Sequence, residues 1–196
     1  CVGNQCEKNL LKMTMPGRFR LQKFLRDCLK AGVTHAILEV TSQGVLQSRH
    51  RGIKFDYAVL TNVTPEHIEA HGGFDKYRGA KIKFFEYAAK NSKATAVINI
   101  NDPSAELFLK LSFSKKIEYR GEELDYFNPL LGEFNKANVV AAIKVAESLG
   151  LDHEQIEAAL KTFPGVPGRL EFVEREPFAV GGDYAHTPDA LRKVYK

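Results

Sequence analysis

The stretch Asp56-Tyr57-Ala58-Val59-Leu60-Thr61-Asn62 has the pattern of a buried strand that ends in polar residues, and it runs directly into Thr64-Pro65-Glu66-His67. Two other polar clusters, Glu39-Val40-Thr41-Ser42-Gln43-Gly44 and the run from Asp183 to Asp189, also follow short apolar stretches. In open α/β sheets, ligands bind outside the carboxyl ends of the parallel strands, where loops vary while the sheet holds them rigidly. The three clusters therefore predict an enzyme that handles a nucleotide.

Strand and helix patterns alternate along the chain, as in a parallel sheet whose strands are connected by helices. The predicted strands are His35–Val40, Asp56–Thr61, Ala94–Asn99 and an edge strand Ile117–Tyr119, and the predicted helices are Leu21–Ala31, Phe74–Asn91, Pro103–Leu111, Glu133–Leu149 and His153–Thr162. A glycine stop at Gly150 and a capping box formed by Asp152 and Gln155 separate the last two helices. The predicted fold class is α/β, with a mostly parallel sheet flanked by helices.

The segment Phe163–Arg169 concentrates glycine and proline and is the best candidate for a domain boundary. We assign residues 1–164 to one domain and residues 165–196 to the beginning of a second, Rossmann-like α/β domain. The chain opens with Cys1 in place of methionine and ends inside a predicted helix. These features indicate an excerpt of a longer protein.

Composition narrows the class of protein. With 196 residues, 44% of them hydrophobic, the chain can bury a sizeable core. The net charge of +4 comes from lysines spread along helices, which argues against a nucleic-acid partner. The sequence has no apolar run of about 18 residues and no signal segment, so we expect no membrane insertion and a cytoplasmic location. The three cysteines have no metal-ligand spacing, and we expect Cys28 to act as a small apolar residue.

Lys81 has an unusual position on the long predicted helix. Tyr77, Lys81, Phe84, Phe85 and Ala88 recur at spacings of three and four residues, which places the lysine on the same stripe as the aromatic side chains. One interpretation is structural, with the aliphatic stem covering apolar surface and the ammonium group reaching the rim. The other is a functional amine, because burial disfavours the charged form of lysine.

His67 and His71 are four residues apart, after the helix-start signals Thr64 and Pro65. If the helix continues, both imidazoles share one face and could bind a metal. Glu69 lies one place too late for the general base of the H-E-x-x-H motif, which argues against a zinc protease. The structural alternative is a polar helix start with an incidental histidine.

Three further polar residues occupy positions that are unusual unless they meet a partner. Glu39 and Asp183 each end a predicted strand whose other residues are largely apolar, so each carboxylate lies at the rim or binds a cation. Asn138 lies on the helical stripe of Phe134 and Ala141. Each position alone has a structural explanation, but several together, at strand ends and on inner helix faces, favour a functional role.

The chain resembles the Mur ligase family over nearly its whole length, in particular the branch of UDP-N-acetylmuramoyl-tripeptide synthetases. The related folylpolyglutamate synthases typically have asparagine where this chain has Thr187, which favours the muramyl branch. The matching runs are Glu39–Gly44 with Gln47 and Arg49, Thr61–His67 with His71 and Gly72, Tyr77–Lys81, Gly132–Asn135 with Asn138, Gly165–Arg169, and Asp183–Asp189.

The resemblance implies roles for these residues. Lys81 would capture carbon dioxide as a carbamate that helps to bind Mg²⁺, with Glu39 and His67 as further metal ligands, so that Lys81 and His67 would serve catalysis. The UDP-muramyl peptide would be held by Thr14, Thr41, Gln47 and Arg49, and the nucleotide would be contacted by Asn138, Arg169, Asp183 and His186.

The implied reaction transfers a phosphoryl group from ATP to a substrate carboxylate, and the amino group of an amino acid then attacks the acyl phosphate. This chemistry belongs to peptidoglycan synthesis, and hence to cell wall biogenesis, cell shape and cell division. The pattern G-x-x-x-x-G-K-[ST] is missing from the sequence, so we expect the first domain to lack its phosphate-loop strand and the chain alone to be inactive.

Three alternatives stay open at this point. The chain could be a ligase-like binding module without catalysis, a ligase of the folylpolyglutamate or cyanophycin type, or a metal hydrolase built on His67 and His71. Two substrate motifs depart from the family pattern, at Thr14-Met15-Pro16 and at Thr41-Ser42-Gln43. The sequence does not determine which amino acid is added or the oligomeric state.

Overall fold

The computed structural model describes residues 13–64, 72–174, 176–186 and 188–195. Within these ranges the helices are α1 (Arg18–Lys30), α2 (Ser42–Leu46), α3 (Phe74–Ala88), α4 (Ala105–Leu109), α5 (Glu133–Ser148), α6 (His153–Thr162) and α7 (Pro188–Val194). The strands are β1 (Tyr57–Leu60), β2 (Thr95–Asn99), β3 (Lys115–Tyr119), β4 (Glu171–Glu174) and β5 (Val180–Gly182). A short 3₁₀ turn covers Gly121–Glu123.

The first three strands form one parallel sheet in the order β1-β2-β3. The central strand β2 is buried along its whole length, because helices cover both faces of the sheet. Ala96 and Ile98 face the core cluster that contains α3 and α4, whereas Val97 faces Val140 and the rest of α5. The alternation follows from the two-residue period of a strand. The predicted parallel sheet flanked by helices is thus confirmed.

The aromatic stripe of α3 packs on the first face of this sheet. Tyr77, Phe84 and Phe85 are buried, and the Phe85 ring meets the Phe108 ring of α4 edge to face at 4.9 Å between centroids. Offset or edge-to-face ring pairs are the geometry that aromatic quadrupoles favour. The helical spacing of the sequence therefore identified the buried face of α3 correctly.

The predicted strand His35–Val40 is wrong. Residues 33–41 form no strand, and Ile37 is 98% exposed. A strand is stable only when its backbone groups bond to a neighbouring strand. Among the described residues, β1 bonds only to β2, so no described strand lies beside the other edge of β1 to pair with this segment. The apolar composition of this segment indicated burial, but composition alone does not supply the neighbouring strand to which its backbone would bond.

The helical hairpin forms as predicted. Asp152 accepts a hydrogen bond from the backbone of Gln155, and the Gln155 side chain accepts one from the Asp152 backbone, which completes the capping box. Gly150 has a φ of 91°, in the left-handed region where glycine is favoured. These local signals need no tertiary contact, which explains why the sequence predicted them.

The carboxyl-terminal part contains a separate two-stranded sheet, in which β4 and β5 are antiparallel. In the described ranges, no hydrogen-bond ladder joins it to the three-stranded sheet. The domain boundary at residues 164 and 165 stays a prediction. None of the described helices is long and apolar enough to cross a bilayer.

Candidate functional site

Residues 60–63, at the carboxyl end of β1, form the strand-end segment. Side chains from β2 and β3, the other two strands of the sheet, hold its first two carbonyl groups. The Tyr119 hydroxyl donates to the Leu60 carbonyl oxygen at 3.1 Å, and the Asn99 amide donates to the Thr61 carbonyl oxygen at 2.8 Å. Burial, and secondarily the negative charge of Asp102, raise the pKa of Tyr119, so its hydroxyl keeps its proton and remains a donor.

The second half of the strand-end segment is held from α3 and from the turn after β2. Lys81 Nζ donates to the Asn62 carbonyl oxygen at 2.8 Å. The buried carboxylate of Asp102 accepts hydrogen bonds from the backbone amides of Val63 and Ser104. Four consecutive residues are therefore each bound by a side chain from another part of the fold, which fixes the backbone at the edge of the predicted site.

Lys81 lies half buried at this edge. Its Nζ is 5.1 Å from the centroid of the Tyr77 ring, one helical turn earlier, in addition to its bond to the Asn62 carbonyl. The prediction that Lys81 shares the aromatic stripe of α3 is confirmed. Its carbamylation stays a prediction.

The predicted magnesium ligands are only partly described. Glu39 is exposed on the irregular segment that precedes α2, while His67 and His71 lie outside the described residues. Within the described ranges, no three histidine, cysteine or acidic side chains gather closely enough to hold a metal. Mg²⁺ prefers oxygen ligands, and the carboxylate of Glu39 with a carbamate on the half-buried Lys81 would be ligands of that kind. The donor chemistry fits Mg²⁺, and the geometry of the site stays a prediction.

Arg49 is the centre of a second cluster. Its guanidinium donates to the Met15 carbonyl oxygen and to the Gln47 side-chain oxygen, and it lies 3.1 Å from the Met13 sulfur. Thr14, between the two methionines, is exposed. The structure thus brings Thr14, Gln47 and Arg49 into one neighbourhood, with the planar guanidinium held by polar contacts on two sides.

Thr41 joins the same neighbourhood through α2. Its hydroxyl oxygen accepts a hydrogen bond from the Gly44 amide at 3.1 Å and caps the amino terminus of the helix. A Cβ on Gly44 would lie 2.5 Å from the Met15 sulfur, so only glycine permits this close approach. All four predicted substrate residues are therefore gathered between α2 and residues 13–15, and their roles stay predictions.

His50, next to Arg49, was not singled out by the sequence. It is only 5% exposed, and its ring packs edge to face on Tyr87 at 4.7 Å and on Phe84 at 6.1 Å. Its Nδ1 has no hydrogen-bond partner among the described residues. A histidine between two arginines in a polar turn gives no periodic signal of burial, and only the packing of the turn on α3 reveals it.

Residues 168–170 and 183–186 form a third cluster. The Asp183 carboxylate accepts hydrogen bonds from the backbone amides of Leu170 at 2.8 Å and Ala185 at 2.7 Å. The Leu170 side chain lies close to Gly132, directly before α5. The prediction that Asp183 directly follows a strand is confirmed, because β5 ends at Gly182.

Arg169 and His186 both lie close to the ring of Tyr184. The Arg169 guanidinium is 5.6 Å from the Tyr184 ring centroid, and the His186 ring meets the same tyrosine at 4.8 Å. His186 Nδ1 is 2.9 Å from the Tyr184 carbonyl oxygen. Three of the four residues predicted to contact the nucleotide, Arg169, Asp183 and His186, are thus close together.

The fourth residue, Asn138, does not occupy the inward position that the helical stripe predicted. Asn138 is exposed, and its amide donates to the side-chain oxygen of Asn135 at 3.1 Å. Asn135 is the buried amide, and it donates to the Leu131 carbonyl oxygen at 2.6 Å. The buried face of α5 is centred on Val139 and Ile143, which moves Asn138 to its edge.

A cavity of about 520 Å³ lies beside the 3₁₀ turn and the first turn of α5. This volume is within the usual range for small-molecule sites. The pKa of Glu122 is lowered, first by a hydrogen bond to its own backbone amide and second by one from the Asn101 side chain. The wall of the cavity therefore carries a negative charge. None of the predicted nucleotide residues lines the cavity, whose polar lining includes Asn99, Asn101, Glu122, Tyr126, Glu133 and Lys136.

Comparison with known proteins gives consistent results. Residues 2–119 match the family model of the Mur ligase middle domain. The chain is 34% identical to the UDP-N-acetylmuramoyl-L-alanyl-D-glutamate–2,6-diaminopimelate ligase of Thermosynechococcus vestitus, and the match covers 93% of this chain and 42% of that protein. It is 33% identical to the UDP-N-acetylmuramyl-tripeptide synthetase of Roseiflexus sp., with coverage of 100% and 46%.

A solved structure of a UDP-N-acetylmuramoyl-L-alanyl-D-glutamate–2,6-diaminopimelate ligase superposes on the chain with a TM-score of 0.76 at 29% identity. The superposition covers 91% of this chain and 42% of that one. The chain therefore spans less than half the length of the proteins to which it is similar.

Proposed function

The chain belongs to the Mur ligase family, and on that premise we propose that it is part of an ATP-dependent ligase that adds an amino acid to a UDP-N-acetylmuramoyl peptide in peptidoglycan synthesis. The observation that carries the proposal is the position of Lys81, half buried at the carboxyl end of β1 and bonded to Asn62. This end of a parallel sheet is where ligands bind in open α/β folds.

The reaction has two steps. A carboxylate oxygen of the muramyl peptide attacks the γ-phosphorus of ATP, the bond to the bridging oxygen breaks, and ADP leaves. The amino nitrogen of the incoming amino acid then attacks the acyl carbon, inorganic phosphate leaves, and the nitrogen loses a proton. Positioning and electrostatic stabilisation account for most of such catalysis.

Lys81 contributes to the metal site and does not act as a nucleophile towards the substrate. Its neutral amine adds to the carbon of carbon dioxide and loses a proton, which gives a carbamate with one negative charge. The carbamate, Glu39 and His67 would hold Mg²⁺. When bound, Mg²⁺ offsets the negative charge that develops on the transferred phosphoryl group.

The two remaining clusters hold the two substrates. The Arg49 guanidinium, oriented by Gln47 and Met15, binds an anionic group of the muramyl peptide, and Thr14 and Thr41 add hydroxyl groups beside it. The nucleotide is contacted by Arg169, Asp183, His186 and Asn138. The Asp183 carboxylate, which the backbone amides of Leu170 and Ala185 hold in place, accepts a further hydrogen bond from a ribose hydroxyl in this proposal.

The protein works in the cytoplasm, where the nucleotide-linked precursors of the cell wall are soluble, with residues 1–164 in the central domain and residues 165–196 in the next. Its ligands are ATP, Mg²⁺, the muramyl peptide and an amino acid.

The proposal is tested by replacing Lys81 with alanine in the full-length protein and measuring release of ADP with the muramyl peptide, ATP, Mg²⁺ and amino acids. Ligation is expected to fall to background, and added bicarbonate is not expected to restore it, because the amine is gone. Lys83→Ala is the matched control, because Lys83 is exposed on the same helix. A Lys81→Ala variant with full activity would refute the assignment.

A further inference from the structure

We propose that His50 is a positioning residue for Arg49. While its imidazole is neutral, His50 anchors the turn of residues 47–52 on α3. When the imidazole is protonated, His50 releases that turn. The proposal rests on the proposed role of Arg49 in binding the muramyl peptide. It adds a residue to the substrate site and makes that site sensitive to pH.

The turn is attached to α3 at two places. The His50 ring packs edge to face on Tyr87, and the Gly52 amide donates to the Tyr87 hydroxyl at 2.9 Å. On the α2 side, the Arg49 amide donates to the Gly44 carbonyl oxygen at 2.9 Å. Arg49 therefore starts from a backbone that is fixed on both sides, and the His50 ring supplies the apolar part of the attachment to α3.

In the part of the chain that the structure describes, the charges that act on His50 are positive. Arg18, from α1, donates its Nε to the Ser48 carbonyl oxygen at 3.2 Å, and Arg51 is the next residue in the turn. Both arginines act on the His50 ring, whereas α2 has no titratable side chain and α3 presents the Tyr87 hydroxyl. An imidazolium here would be a third cation, with a buried Nδ1–H for which residues 13–64 and 72–195, as far as they are described, offer no acceptor, and this is strongly disfavoured.

Burial first, and then the charges of Arg51 and Arg18, lower the pKa of His50 from its ordinary value. In the unfolded chain the imidazole titrates near about 6.5. Between the folded and unfolded pKa values the unfolded state binds more protons. The attachment is therefore complete above the unfolded value and weakens as the pH falls below it, so Arg49 is preorganised at neutral pH and released in acid.

The first measurement is amide hydrogen exchange of residues 47–52 in the 196-residue chain between pH 7.5 and 5.5, corrected for the intrinsic exchange rate. In the wild-type chain, protection is expected to fall by up to about tenfold per pH unit once the pH is below about 6.5. The variant His50→Phe keeps a ring on Tyr87 and cannot bind a proton, so its protection should not change with pH. His35→Gln, which removes an exposed histidine, is the control and should behave as wild type.

Two outcomes overturn the proposal at this stage. One is a pH dependence in His50→Phe equal to that of the wild-type chain. The other is an NMR titration of the wild-type His50 ring that gives a pKa of about 6.5 or higher, a result that does not depend on any variant.

The second measurement is the KM of the full-length ligase for the UDP-N-acetylmuramoyl peptide over the same pH range. The wild-type KM should rise by up to about tenfold per pH unit once the pH is below the pKa that the NMR titration gives for His50. The kcat should respond to pH equally in wild type and in His50→Phe, and the KM of the variant should stay flat. If both proteins are active and their KM values change equally with pH, the positioning role of His50 is overturned. Absence of any ligation at pH 7.5 instead refutes the proposed function and leaves the exchange result standing.

Discussion

The strand-end segment depends on one buried carboxylate, and Asp102→Ala is the most direct test of that dependence. Asp102 is 8% exposed, and it accepts backbone hydrogen bonds from Val63 and Ser104. Alanine would leave both amides without an acceptor, and it would also remove the charge that helps to keep the Tyr119 hydroxyl protonated.

The magnitude follows from these two bonds. A hydrogen bond to a charged group contributes about 1.5–3 kcal/mol. With the lower value for each of the two bonds, the free energy of unfolding is predicted to decrease by about 3 kcal/mol. With a urea dependence of about 2 kcal/mol per molar, the unfolding midpoint should fall by about 1.5 M.

The assay is urea unfolding of the 196-residue chain, followed by circular dichroism. Asp102→Asn, which keeps one carbonyl oxygen as an acceptor, should lose about half as much stability. Asp75→Ala is the surface control, because Asp75 is 86% exposed and its ion pair with Arg78 contributes at most about 1 kcal/mol. A loss below about 1 kcal/mol for Asp102→Ala, or one no larger than that of the control, would refute the reasoning.

Two further predictions concern α2 and the hairpin region. Gly44→Ala should destabilise the chain by about 1–3 kcal/mol, because the new methyl group meets the Met15 sulfur, whereas Gly79→Ala, with open space around it in α3, should stabilise it by about 0.5–1 kcal/mol. Both are measured by urea unfolding, and equal effects of the two changes would contradict the packing argument. The amide of Phe127 lowers the pKa of Glu157, so the stability from this contact should be present above about pH 4.3 and lost as the pH falls through the lower folded value. A Glu157→Gln variant with an unchanged acid unfolding profile would disprove this.

The sequence predicted correctly those features whose signals lie within a few residues of one another in the chain. The aromatic stripe of α3, with Phe84 and Phe85, and the capping box of Asp152 were predicted because each depends on residues within a few positions of one another. Cys28 is buried, as its place on α1 indicated. The resemblance to the Mur ligases was carried by motif order and was confirmed by the comparisons.

The failures involve residues whose environment comes from elsewhere in the chain. Residues 35–40 are apolar enough for a strand, but strand formation depends on a neighbour that the described residues do not supply. Asn138 has the spacing of a buried residue, yet the packing of α5 on the sheet buries Asn135 in its place. His50 was missed because a single polar residue in a turn carries no periodicity.

The sequence by itself determined most of the helices and strands of this protein, the sheet type and the family, since these depend on side-chain period, capping and motif order. Only the tertiary structure decided which polar side chains meet. Lys81 reaches a carbonyl group 19 positions away and Tyr119 reaches one 59 positions away, and no local pattern encodes such pairs. Their physical origin is the packing of β1, β2, β3 and α3, which brings polar groups from distant parts of the chain to one end of the sheet, where they bond to one another.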